Sequence, residues 1–245
     1  MLIVIIDILV GYFQNENINR VVDYVFLGGL VRNLVIRSVA AFVDWNSQIH
    51  LHASSQKDVS DNPVLTAEVV LRKTAGRIAR CLNKIDSTNR YKVHMRLYHG
   101  WHKGYEPTGN KKAVTKVLAA TDFASLSPFP NVVFASNVAY GDCLLHAMSN
   151  RFHSRLGVHL PNTLQLQHGR LGEKMVDTAL ASDIVSSAAT QSDEWIVVVS
   201  EDDDLVPPVF TAEALLVGGS SKVFILQSRA RSGNFLKLEN IMVRL

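Results

Sequence analysis

The chain has 245 residues, 47% of them hydrophobic and 19% charged, which is enough to bury a substantial core in one large domain or in one domain with additions. Its net charge of +3 and isoelectric point near 8.9 suit nucleic acid but are too mild to argue for it, and nine histidines add charge only in acid. Cys81 and Cys143 have no metal-ligand spacing, and a chain this long needs no disulfide, so a reducing, cytoplasmic compartment is expected.

Met1 to Val10 is apolar but contains Asp7 and no basic leader, so it is too short to cross a membrane and lacks the flanks of a signal peptide. Val21, Val22, Val25, Phe26 and Leu30 recur at helical spacing. Residues 1–34 therefore read as a helical extension that docks on the domain, on a second copy in a homodimer, or on another protein. The main domain is expected over 35–228. Val39 to Val43 is a short apolar strand that stops at Asp44-Trp45-Asn46. A strand-end aspartate can ligate a metal or close an Asx turn, and Asn46 can bond the adjoining backbone or a phosphate.

Leu65 to Ile85 reads as a helix and Tyr91 to Tyr98 as a strand, a β-α-β order that favours a right-handed crossover and a parallel sheet. The string WHKGYEPTG from Trp101 to Gly109 reads as a loop near the strand ends. Trp101 and Tyr105 there can stack on unpaired bases, each worth roughly 1–3 kcal/mol, while Lys103, Lys111, Lys112 and Lys116 meet phosphates. The alternative is that these aromatics pack locally. Pro128, Pro130, Asn131 and Pro161 mark turns in an insertion around 101–168, with candidate strands at Val132 to Ser136 and Thr163 to Gln167. His146, His153, His159 and His168 lack zinc-ligand spacing.

Gly172 to Asp177 opens an Ala-rich helix in which positions 177, 181 and 184 share a face, pointing Asp177 toward the core. Asp183 lies about 240° around that helix and belongs to a different face. Trp195 to Val199 is a β-branched run of the kind buried on both faces of a parallel sheet, and it meets Ser200, Glu201, Asp202, Asp203 and Asp204. Crowded carboxylates repel one another unless a cation or solvent relieves them. They suit a hard cation such as Mg²⁺, or a solvated cap on a helix starting near Leu205. Val223 to Leu226 is a last core strand, and a basic tail over 229–245 carries Arg229, Arg231, Lys237 and Arg244.

In their order, AFVDWN, KMVDTALASD and VVVSEDDDLVPPV resemble the three acidic motifs of the NYN domain, a branch of the PIN-like nuclease superfamily. The resemblance spans roughly Val39 to Leu226, with a weaker match at Arg96 to Gly100. It implies a Rossmann-like three-layer α/β/α sandwich with a mostly parallel sheet, whose strand ends gather acids around one or two Mg²⁺ or Mn²⁺ ions to hydrolyse RNA. Matched position by position, Asp44, Asp177, Asp202 and Asp204 fall on the acidic centre and Asp183 on the family's second helix acid. Lys174 and Ser200, with Asn46, Trp101 and Lys103, are the candidate substrate contacts. Two positions depart from the pattern: Glu201 replaces a glycine and adds charge, and Trp45 replaces a small residue. The reading is a metal-dependent endoribonuclease acting on single-stranded or loop RNA. The alternative is a non-catalytic RNA-binding or protein-interaction module on the same fold.

Overall fold

A computed structural model describes residues 22–27, 30–54, 61–145, 160, 162–167, 169–190, 193–216, 219–228 and 242–244. In chain order its elements are β1 (Val22–Leu27), β2 (Leu30–Asp44), α1 (Trp45–His52), α2 (Pro63–Ile85), β3 (Arg90–Tyr98), β4 (His102–Lys103), β5 (Glu106–Pro107), α3 (Gly109–Ala120), β6 (Val132–Phe134), β7 (Ala139–Tyr140), β8 (Leu164–Gln167), β9 (Arg170–Glu173), α4 (Val176–Thr190), β10 (Trp195–Val199), α5 (Val206–Leu215), β11 (Val223–Gln227) and β12 (Met242–Arg244). His146, His153, His159, His168 and the tail residues Arg229, Arg231 and Lys237 lie outside the described residues.

The β-branched runs become strands because they can be buried on both sides. All five residues of β10, and all five of β11, are buried. The main path is β12-β11-β10-β2-β3-β6, parallel at every step. Renumbered along the chain, these strands run 3-2-1-4-5-6 across the sheet, the doubly wound order whose direction of growth reverses between β2 and β10. Val39, Ala41 and Val43, with Val93, Leu97, Val197 and Val199, face the layer formed by α1, α2 and α3. Phe42, Ile196, Val198 and Ile225 face α4 and α5. The result is a Rossmann-like α/β/α sandwich with a parallel sheet, the fold that the resemblance of the three acidic blocks implies.

The long crossover helix α2 is set by local chemistry. Asn62 caps it, accepting from Val64 N at 3.1 Å and Leu65 N at 3.2 Å, and Pro63 begins its first turn. Its buried positions, among them Val70, Leu71, Ala75, Ile78 and Leu82, follow the three-four spacing of one helix face.

One expectation is overturned. Val22–Leu27 is a strand and not an amphipathic helix; it pairs antiparallel with 30–35, from Val22↔Val35 to Leu27↔Leu30. Matches at i+3 and i+4 in so short an apolar run do not separate the two states. The β-branched and aromatic content of VDYVFL, and the Gly28-Gly29 step before Leu30, are a hairpin signal. Within the 101–168 segment, α3 packs on α2 and β6 joins the sheet, so both belong to the sandwich itself. Among the described residues no helix is long and apolar enough to cross a membrane.

Candidate acidic site at the strand ends

Register brings the site together. Val43 pairs with Val199 and Asp44 with Tyr98, so the residues leaving β2, β3 and β10 emerge at one level, beside the point where strand order reverses.

Asp44 ends β2 and caps α1. Its Oδ1 accepts from Ser47 N at 3.1 Å. Ser200, the first residue after β10, donates its hydroxyl to Asp44 Oδ2 at 2.6 Å and accepts from Asp202 N at 3.0 Å. One hydroxyl therefore ties the two strand ends. Asp202 caps the 3-10 turn Asp203–Leu205, accepting from Asp204 N at 3.0 Å. Burial raises the Asp44 pKa above its usual range, with Ser200 and Ser47 pulling the other way.

Asp177 stands in the first turn of α4, on its solvent side, so it does not lead the apolar face as its spacing suggested. That face is carried by Val176, Ala179, Leu180, Asp183 and Ile184. Partial desolvation and then the charges of Asp44, Asp202, Glu173 and Asp204 push Asp177 up to about 6. Every charged group in that set is a carboxylate. Before it, Met175 sits in the left-handed region at φ 66°, which costs a non-glycine residue roughly 1–2 kcal/mol. Its carbonyl accepts from Ala179 N at 2.9 Å and so starts the helix.

Glu173 and His99 belong to the same mouth, although no motif singled them out. Glu173 ends β9; its Oε1 accepts from Gly100 N and pairs with His99 Nδ1. Gly100 permits this approach, because a Cβ there would lie 3.1 Å from Leu164 and 3.2 Å from the Thr163 carbonyl. His99 lies within the weaker match Arg96 to Gly100, and Glu173 stands one residue before KMVDTALASD. Their pairing is long-range, however, and no local spacing announces it.

The other candidates separate. Asp183 is 1% exposed, accepting from Arg96 Nε at 3.1 Å and Tyr98 Oη at 2.7 Å on one oxygen and from Leu145 N at 2.8 Å on the other. Protein partners thus engage both of its oxygens, and the Arg96 guanidinium pairs with its charge. Asn46 is half-buried beside Asp44 in α1, while Lys174 and Lys103 are exposed.

Trp101 is corrected as a base-stacking residue. It is 0% exposed, its Nε1 donates to the Leu97 carbonyl at 2.9 Å, and its ring meets His99 and Tyr140 edge-on. An indole with a buried hydrogen bond is core, whatever loop carries it. Tyr105, 80% exposed, is the accessible aromatic of that loop. Trp45 is likewise core, at 1% exposure. Glu201 does not crowd the acids with free charge: its carboxylate accepts from Ser228 N at 3.0 Å and from Arg77 Nη2 at 3.1 Å. Burial raises its pKa, but Ser228 and Arg77 outweigh that and hold it below its usual value.

A hard divalent cation is the group such a donor set suits, since the leading charges acting on Asp177 are all carboxylates and repel it. Among the described residues, as the side chains stand, no three His, Cys, Asp or Glu groups converge tightly enough to hold a metal ion. Comparison with family models, with curated proteins and with solved structures finds no match for this chain.

Proposed function

We propose that the chain is a Mg²⁺- or Mn²⁺-dependent endoribonuclease that hydrolyses phosphodiester bonds in single-stranded or loop RNA, like the NYN domains its three acidic blocks resemble. The observation that carries the reading is that Asp44, Asp202 and Asp204 stand at or just beyond the ends of two adjacent parallel strands at the reversal point of the sheet, with Asp177 near enough to feel their charges. The four carboxylates would hold the cation, which supplies the positive charge that activates water and stabilises the leaving oxygen. Ser200 keeps Asp44 and the Asp202 turn in one frame. Lys174, Lys103 and Asn46 are suited to the phosphate backbone, and Tyr105 to an unpaired base.

The test is cleavage of a single-stranded and a structured RNA with Mg²⁺, Mn²⁺ or chelator. Cleavage should require the cation, and Asp202→Asn should lose at least ~100-fold in kcat, the scale of losing one charge-stabilising group from an active centre. Full Mg²⁺-dependent cleavage by Asp202→Asn would reject the assignment. A second reading, an RNA-binding or protein-interaction module, draws on the acids not converging as they stand. It predicts RNA binding without cleavage under every cation. A cytoplasmic location accompanies the proposal, in keeping with a chain that has two cysteines and no metal-ligand spacing between them.

A further inference from the structure

The solvent face of α2 carries positive charge that the acidic mouth does not use. Lys73 and Arg80 are exposed on one side of the helix, two turns and about 10 Å apart along its axis. Arg72, beside them, meets Glu68 at 3.3 Å one turn away, the ordinary arrangement of a solvated helix face. Lys73 and Arg80 depart from it. No acid stands three or four residues from either; Arg77 and Lys84 occupy those places, so like charges adjoin at a spacing that weakens a helix. Among the described residues neither Lys73 nor Arg80 forms an ion pair.

Between the two stands Gly76, where a Cβ would meet only the flexible guanidinium of Arg80, at 3.5 Å. Packing therefore does not demand glycine, and alanine would make the better helix. What glycine does here is leave the helix surface uncovered between two cations, open to the close approach of an anionic chain. On the inner side of the same turns, Arg77 is buried and donates to Gln48 Oε1 at 2.7 Å and to Glu201 Oε1 at 3.1 Å. Glu201 adjoins Asp202, so one side chain separates the basic face from the acidic turn. Burial, and then the charges of Arg77, Lys73 and Arg80 against that of Glu201, push the His52 pKa down to about 4, in keeping with a positive field at the end of α1.

We infer that Lys73 and Arg80, flanking Gly76, form a phosphate track on α2 that holds the backbone of single-stranded RNA beside the acidic mouth. The inference rests on the nuclease reading for the identity of the polyanion and extends its substrate surface to a helix outside the acidic motifs.

The experiment is fluorescence anisotropy of a labelled single-stranded RNA with the full chain, in chelator so that no cleavage intervenes, across a series of KCl concentrations. The double variant Lys73→Gln/Arg80→Gln should weaken binding about 10-fold and flatten the slope of log affinity against log salt by roughly 1.4, the share of two phosphate contacts on a single strand. The loss should be equal for RNAs of unrelated sequence, since phosphate contacts carry no sequence information. Lys92→Gln/Lys222→Gln, which removes two exposed charges from the opposite end of the sheet, should leave affinity and slope near wild type. Wild-type affinity and slope in Lys73→Gln/Arg80→Gln, or a loss no larger than in Lys92→Gln/Lys222→Gln, overturns the inference. If wild type binds no RNA, the nuclease reading and this inference fall together. If Lys73→Gln/Arg80→Gln loses binding while Asp202→Asn cleaves as wild type, the inference stands and the acid assignment falls. If Asp202→Asn is inactive and Lys73→Gln/Arg80→Gln binds as wild type, only the inference falls.

Discussion

Asp177 makes the charge imbalance of the mouth measurable. Its pKa is pushed up to about 6, by partial desolvation first and then by Asp44, Asp202, Glu173 and Asp204. A carboxyl whose folded pKa lies above its unfolded one favours the folded state most at low pH, and that contribution is lost as pH rises through about 6. In metal-free protein, Asp177→Asn should therefore melt higher than wild type at pH 7.5, and the gap should shrink as pH falls through about 6. Melting curves across that range check the sign; a gap that widens toward acid refutes it. Trp101 makes the opposite residue-level point. With its ring fully buried and its Nε1 bonded to Leu97, Trp101→Ala should cost about 3–5 kcal/mol in urea unfolding. Tyr105→Ala should leave stability unchanged and weaken single-stranded RNA binding by roughly 1–3 kcal/mol. Both aromatics occupy the same loop, and the string WHKGYEPTG does not say which one turns inward, because that depends on where His99 and Tyr140 come to lie.

At the scale of elements, legibility followed burial. WIVVV, the run Val39 to Val43 and VFIL of β11 announce strands because a segment buried on both faces must be apolar throughout. VDYVFL, whose partner is a neighbouring hairpin arm, carries mixed polarity and reads equally as helix. The strand-end positions of Asp44, Asp202 and Asp204 were legible because the apolar runs of β2 and β10 stop beside them. Asp183 was not separable from them, since its engagement by Arg96 and Tyr98 depends on how α4 lies on the sheet. That contact also makes Gly141 a sensitive point. A Cβ there would stand 2.1 Å from the Tyr98 ring, and Gly141 N donates to the Leu97 carbonyl at 2.7 Å. Gly141→Ala should displace Tyr98 from Asp183 and cost about 1–3 kcal/mol by overpacking. Urea unfolding of the variant measures this directly, and an unchanged midpoint would show that the β7 end yields without strain.

For the whole molecule, the topology divides β2 into two parts with different duties. Residues 36–44 register with β3 and, from Val39, with β10, whereas 30–35 pair with β1. The first part carries Asp44 and lies at the centre of the sheet; the second is one arm of a two-stranded ribbon. A lone hairpin is marginally stable in water, so the ribbon draws its order from the sheet and lends it little in return. Deleting residues 1–34 should leave a protein that unfolds in one cooperative transition, with stability within about 1 kcal/mol of the full chain. Asp44 keeps its Ser47 and Ser200 partners in that variant, so Mn²⁺ affinity and RNA cleavage should match the parent. Circular dichroism melts, Mn²⁺ titration and sedimentation of both forms make the comparison. Preserved folding with a changed oligomeric state would assign residues 1–34 to contact between copies. Loss of cooperative folding would show that the ribbon braces the strand on which the candidate centre is built.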